Sequence, residues 1–258
     1  MYMVNHKIGI LIISTSNMRN WKSIKETYLY NIFIKTFLKT VNKNNEYIIY
    51  IGIDKNDKIF DNIENQKIIK RFSLAFPYVE FKFTTFNKNI KKGHVSKMWN
   101  IIFKIAYDEN CDYFYQCGDD INFKTSGWVN DCIIALKKNN NVGLTGPINN
   151  NSRILTQSFV SRKHMEIFGY YFPEELINWG IDDWYNYVYK PNNYFPLKQH
   201  YSSNDGGKPR YEINDNVNFM SDYAKNVYNI RKMAYDIAQK SFLEKKIQKI
   251  LKHSKNTT

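Results

Sequence analysis

Two short stretches of this chain combine residue types that can do chemistry. Gly118-Asp119-Asp120 sets adjacent carboxylates behind a glycine, directly after the apolar run Tyr113-Phe114-Tyr115-Gln116-Cys117. Carboxylates are hard oxygen ligands that can hold a divalent cation and so offset the charge growing on a departing pyrophosphate. The glycine lets backbone come close to a ligand. The plainer alternative is a pair of turn acids that cap the next helix. In Asn178-Trp179-Gly180-Ile181-Asp182-Asp183-Trp184, two acids follow a tryptophan and a glycine. A carboxylate there can take the proton from an attacking hydroxyl, and an indole offers an apolar platform to a sugar face. The plainer alternative is an amphipathic helix start, with Asp182 near the N-cap and Trp184 in the core.

The elements that must position these residues alternate between strand and helix, which predicts an open, mostly parallel sheet. Ile8 to Ser14 is a continuous apolar run, as in a strand covered on both faces. A helix is expected from about Trp21 to Val41, a second strand from Glu46 to Asp54, a helix from Asp61 to Phe72 and a strand from Val79 to Thr85. From Val95 to Asp108, Val95, Met98, Trp99, Ile102, Phe103 and Ala106 recur at the spacing of one helix face. The aromatic strand that follows delivers Asp119-Asp120 at its carboxyl end, where ligands bind in open α/β sheets. Further expectations are a helix near Trp128 to Lys138, a strand from Val142 to Pro147 and a loop from Tyr194 to Glu212 centred on Asp205-Gly206-Gly207-Lys208-Pro209. Helical spacing returns from Met220 to Lys252 and ends in a basic tail.

The aromatic strand ending in Gly-Asp-Asp-Ile resembles the D-x-D-type motif of GT-A fold glycosyltransferases, and Trp179-Gly180-Ile181-Asp182-Asp183 resembles the W-G-x-E-D segment of inverting galactosyl- and N-acetylgalactosaminyltransferases. Gly118 stands where the D-x-D pattern has its first acid, and Asp182 replaces the Glu. The resemblance implies a GT-A-like nucleotide-binding domain, with a mixed, mostly parallel sheet flanked by helices. It implies transfer of a sugar from a nucleotide-sugar donor, UDP-linked, to an acceptor hydroxyl with inversion. By the same match Asp120 holds the metal and Asp119 lies near the ribose; Asp183 is the general base, Asp182 positions acceptor hydroxyls, and Trp179 and Gly180 contact the acceptor sugar. His200 completes the metal site around a divalent cation, Mn²⁺ or else Mg²⁺. Ser14, Thr15 and Asp54 surround base and ribose, Lys97 and Asn100 reach the donor from their helix, and Lys208 and Arg210 fold over the diphosphate as a lid. His94 is a phosphate contact or a loop residue, and Arg162 forms a salt bridge more readily than it reaches the diphosphate. The acceptor is a glycan, a glycoprotein or a small hydroxyl compound. Residues 1–219 then form the catalytic domain, with a donor half at about 1–125 and an acceptor side at about 126–219, and 220–258 form a helical, basic tail.

Composition bounds these readings. The 258 residues suit one large α/β domain or one domain with a substrate lobe, and 43% hydrophobic with 16% aromatic content excludes a disordered chain. The net charge of +13 admits a basic nucleic-acid-binding module, but no basic stretch interleaved with aromatics stands out before the tail. Asn, Lys, Ile and Tyr, all with AT-rich codons, recur along the whole chain, so coding bias in an AT-rich host or virus accounts for much of the charge, with anionic substrates second. A nucleotidyltransferase is the other enzyme considered. It would carry a glycine-rich loop after the first strand, where this chain has Ser14 to Arg19. Three cysteines without C-x-x-C spacing, no apolar run of membrane-spanning length and no cleavage signal lead to the expectation of a soluble, cytoplasmic protein.

Overall fold

A computed structural model of the chain describes residues 5–87, 90–91, 93–207, 210–211, 223–240 and 247. Its centre is an eight-stranded sheet in the order β3-β2-β1-β4-β7-β6-β8-β5. The strands are β1 (Lys7–Ser14), β2 (Glu46–Asp54), β3 (Val79–Phe86), β4 (Tyr113–Gly118), β5 (Ile121–Phe123), β6 (Leu144–Ile148), β7 (Ser158–Ser161) and β8 (Tyr194–Asn204). Neighbours from β3 to β4 run parallel, as do β6 and β8, while β7 lies antiparallel to both β4 and β6, and β5 antiparallel to β8. The parallel half is the open α/β sheet expected from the alternating pattern. The sheet changes direction between β4 and β7, beside the first acid pair.

Helices cover both faces, which explains why β1 reads as unbroken apolar sequence. On one face Ile8, Ile10 and Ile12 pack with Phe33, Phe37, Trp128 and Leu136. These come from α1 (Lys35–Thr40), the π-helical turn Leu29–Ile34 before it, and α5 (Trp128–Lys137). On the other, Leu11 and Ile13 meet α4 (Val95–Asp108), α6 (Lys163–Phe168), α7 (Ile181–Tyr189) and α8 (Tyr223–Lys240). Two short helices, α2 (Ile63–Lys70) and α3 (Phe72–Ala75), flank the β3 edge.

Two expectations change. The single helix from Trp21 to Val41 is broken into a 3-10 turn at Ile24–Glu26 and the π-to-α segment. The Thr27 hydroxyl donates to the Ile24 carbonyl at 2.6 Å and accepts from the Tyr30 N–H, a local alternative to helix bonding. The loop expected from Tyr194 is strand as far as Asn204, and the described residues just beyond it, Asp205-Gly206-Gly207, are irregular. Pro196, the polar run Lys198-Gln199 and a register shift opposite Pro147/Ile148 obscured a strand whose buried positions are Leu197, His200 and Ser202.

Candidate active site

Sheet register brings the donor-side residues to one edge. Ile13 of β1 pairs with Gly118 of β4, and Ser14 pairs with Ile53 of β2. Ser14, Thr15, Asp54, Asp119 and Asp120 therefore leave neighbouring strands at the same carboxyl end. Asp119 is wholly buried, and both its oxygens accept from Arg210, Nη1 at 2.8 Å to Oδ2 and Nη2 to Oδ1. Asp120 is half-buried, its Oδ2 3.7 Å from the same Nη2. Burial, with the charge of Asp119 next, pushes the Asp120 carboxyl up to about 6 against the pull of Arg210. Gly206 closes over Asp120 so tightly that a Cβ there would overlap its carboxylate, and Asp205 donates its N–H to the Asp120 carbonyl at 3.0 Å.

The segment carrying Arg210 is strapped across the strand ends. Asn17 donates to the Arg210 carbonyl at 2.7 Å, and the Tyr211 hydroxyl donates to Asp54 Oδ2 at 3.0 Å. Thr15 and Ser16 are in turn fixed by Asp57, which accepts from Thr15 Oγ1, Ser16 Oγ and the Ser16 N–H at 2.7–3.1 Å. Although burial opposes it, backbone N–H groups of Phe60, Ser16 and Ile59 hold Asp57 below the usual carboxylate range. Sequence reasoning missed Asp57; the Ser-Thr-Ser turn opposite an acidic loop was the available signal.

The second acid pair opens α7. Gly180 caps the helix at φ 85°, and any side chain there would meet Ile230 Cγ2 of α8 at 2.7 Å, so glycine is required both for the turn and for the packing of α8. Asp183 is buried and its Oδ1 meets Arg153 Nη1 and, at 3.8 Å, Arg231 Nε. Asp182, half-buried, is pushed up to about 7 by burial and then by the charge of Asp183.

Adjoining cavities join the two pairs. One of about 280 Å³ is lined by Thr15, Trp99, Gly118, Asp120, Arg210 and Tyr211. The next, about 530 Å³, shares Trp99, Gly118, Asn204 and Gly207 with it and reaches Asp182. A third, about 470 Å³, takes in Trp99, Trp179, Asp182, Asp183, Arg153 and Arg231. Trp99, expected only as part of an apolar stripe, lines all three, and its Nε1–H donates to the Leu11 carbonyl at 3.4 Å.

Several expected contacts lie elsewhere. His200 is buried on the α5 side, with Nε2 2.8 Å from Asp131 Oδ2 and Nδ1 3.2 Å from Thr125 Oγ1. Both ring nitrogens are engaged there, so it is no partner for Asp120. Lys97 pairs with Glu174 at 3.4 Å. Asn100 accepts from the Tyr171 and Phe172 N–H groups and donates to the Phe172 carbonyl; both residues pin α4 to the 171–174 segment rather than reach a donor. His94 lies 3.0 Å from the Glu174 carbonyl. Arg162 stacks on Tyr107 and donates to two backbone carbonyls. Lys208 lies outside the described residues.

The donor set does not fit a divalent cation in this arrangement. Both oxygens of Asp119 are taken by Arg210, Gly118 supplies no ligand and His200 is committed to Asp131. Among the described residues no group of three His, Cys, Asp or Glu side chains is placed to hold a metal ion. The three cysteines are free and buried, and no helix of the described residues is long and apolar enough to cross a membrane.

Neither a protein-family model nor a curated protein matches this sequence. Solved structures do. The chain is similar to S. aureus TarS 1-349 in complex with UDP-GlcNAc, with a TM-score of 0.57 and 14% identity over 88% of this chain and 65% of that one. It is also similar to GalNAc-T7 with UDP, GalNAc and Mn²⁺, with a TM-score of 0.52 and 10% identity over 78% of this chain and 44% of that one. Against the longer S. aureus TarS chain the match spans only 36% of its length. These neighbours are GT-A-type glycosyltransferases, and the fold of this chain is theirs.

Proposed function

We propose that the protein transfers a sugar from a UDP-linked donor to an acceptor hydroxyl, with inversion at the anomeric carbon. The observation that carries this reading is the trough joining Asp120 to Asp183 past Trp99. One end offers Thr15 and Asp120 to a nucleotide and Arg210 beside its diphosphate, with Asp119 behind Arg210 and Asp54 behind Tyr211. The other offers Trp179 and Gly180 against an acceptor, a glycan, glycoprotein or small hydroxyl compound. Residues 1–219 supply the catalytic domain, and Arg231 of α8 adds to the acceptor wall.

The acceptor oxygen attacks the anomeric carbon from the face opposite the diphosphate. As that bond forms, the bond from carbon to the diphosphate oxygen breaks, and the electron pair leaves with the nucleotide. The hydroxyl proton passes to Asp183. Both arginines meet its Oδ1, and Oδ2 is the oxygen that accepts the proton. Asp182, partly protonated near neutrality, can donate a hydrogen bond to a second acceptor hydroxyl. Thermal shift across UDP-, GDP- and CMP-sugars tests the donor, because a ligand that binds only the folded state raises the melting temperature. A larger shift with a GDP- or CMP-sugar refutes UDP, and retained anomeric configuration in the product refutes the mechanism.

A further inference from the structure

We propose that Arg210 is the resident cation of the donor site, paired with Arg19, so that this chain binds its donor diphosphate without a divalent metal. The inference rests on the nucleotide-sugar reading above and concerns what neutralises the leaving group. Asp119 has no solvent exposure, and the Arg210 side chain only 12%. Their bidentate pair is therefore a desolvated one. A metal ion binding Asp119 has to expel the guanidinium or share its carboxylate, and taking one partner from a buried pair is strongly unfavourable. The strap adds to that cost, since Arg210 is held through its own carbonyl by Asn17 and through Tyr211 by Asp54.

A guanidinium carries five N–H donors in a planar fork, and the pair with Asp119 uses two of them. Arg210 also lines the donor cavity with Thr15, Gly118 and Asp120. Asp119 thus acts as a positioning residue that fixes the fork, and the remaining donors suit phosphate oxygens. A second guanidinium stands close by. Arg19 and Arg210 lie 5.5 and 5.4 Å from the centroid of the same Tyr28 ring, and Arg19 donates to the Tyr28 hydroxyl and the Gly206 carbonyl, each at 3.3 Å. The Tyr28 ring thus lies between two like charges, Arg210 on the cavity wall and Arg19 beside Gly206, and two guanidinium groups suit the two phosphates of a nucleoside diphosphate.

The test is calorimetric binding of UDP to the full chain, in EDTA and in millimolar Mn²⁺. Wild type is expected to bind with the same affinity, within about twofold, in both buffers. Arg210→Ala is expected to lose about tenfold or more in EDTA and to regain part of it with Mn²⁺, because Asp119 and Asp120 are then released to a metal. Arg210→Lys, which keeps the charge but not the fork, should fall between; it carries the comparison if the alanine variant misfolds by circular dichroism. An affinity of wild type that rises tenfold with Mn²⁺ overturns the inference alone, as does undiminished binding by Arg210→Ala in EDTA. If wild type binds neither UDP nor any other nucleoside diphosphate in either buffer, the nucleotide-sugar reading itself falls, and the inference with it.

Discussion

Beyond β4, Asp119 is clamped by Arg210, and its neighbour Asp120 is pushed up to about 6. At the start of α7, Asp183 is clamped by Arg153, and its neighbour Asp182 is pushed up to about 7. The two pairs share a logic: an arginine pairs with one acid, and burial with like-charge repulsion raises the other. They differ in solvation. Arg210 is almost enclosed and held at both sides by the strap, whereas Arg153 has 38% of its side chain exposed and Arg231 45%. The enclosed clamp is built to stay in place while a ligand binds beside it. The open one can yield an oxygen to a substrate at little cost, as the proposed role of Asp183 as base requires.

The sharpest way to break this comparison is to remove the charge of each clamped acid. Asp183→Asn is expected to lower turnover by about two to four orders of magnitude with UDP affinity unchanged; full turnover would end its role as base. Asp119→Ala is expected to act on the fold first, since it leaves Arg210 buried without its partner. The cost should be about 3–5 kcal/mol, read as a fall in midpoint in urea or heat. Asp183→Ala should cost about 1 kcal/mol or less, because Arg153 and Arg231 can rehydrate. Equal losses in the two variants would show that the clamps do not differ as described.

Sequence made the parallel half of the sheet legible and the second half of the chain much less so. The run from Ile8, the α4 stripe from Val95 to Ala106 and the aromatic β4 carry strong periodic signals because both faces of the parallel sheet are covered. They place Asp119 and Asp120 at a strand end without further help. The second half includes β8, whose Pro196 and polar run disguise a strand, and Asp183 is met by Arg153 and Arg231, which come from 30 and 48 residues away in sequence. Such long-range pairing leaves no local pattern. His200, Lys97 and Asn100 went astray for a related reason: residue type suggested a ligand, while Asp131, Glu174 and the Phe172 backbone had already claimed them.

Trp99 sits on the seam between the two ends and so sharpens the comparison from the middle. Trp99→Leu keeps an apolar side chain on α4 but removes the ring that lines all three cavities. An aromatic platform contributes about 0.5–1.5 kcal/mol beyond its area, so KM for donor and acceptor should each rise about three- to tenfold with kcat little changed. A change in only one KM would assign the ring to one end.

The smallest expected effect lies in the pH dependence of stability, and it separates Asp182 from Asp183. An unfolded aspartate titrates near 3.8, while Asp182 in the fold is pushed up to about 7. Between those values the folded chain binds more protons than the unfolded one, so stability falls as pH rises and levels off above the folded value. Asp120, pushed up to about 6, adds a second fall of the same sign over a narrower window. His164, held down to about 4 by burial, acts with the opposite sign below its unfolded value of 6.5, so the fall due to Asp182 is read as the difference between wild type and Asp182→Asn. Asp182→Asn cannot ionise and no longer places a second negative charge beside Asp183. It should melt higher than wild type at pH 8 by about 2–4 °C for each kcal/mol of strain relieved, and the two should converge towards pH 4. Asp183→Asn also relieves the repulsion on Asp182, but it costs the ion pairs with Arg153 and Arg231 and should gain little or nothing at pH 8. Melting curves of the three proteins from pH 4 to 8 make the measurement. A difference between wild type and Asp182→Asn that stays constant from pH 5 to 8 would show that Asp182 ionises like an ordinary surface carboxylate.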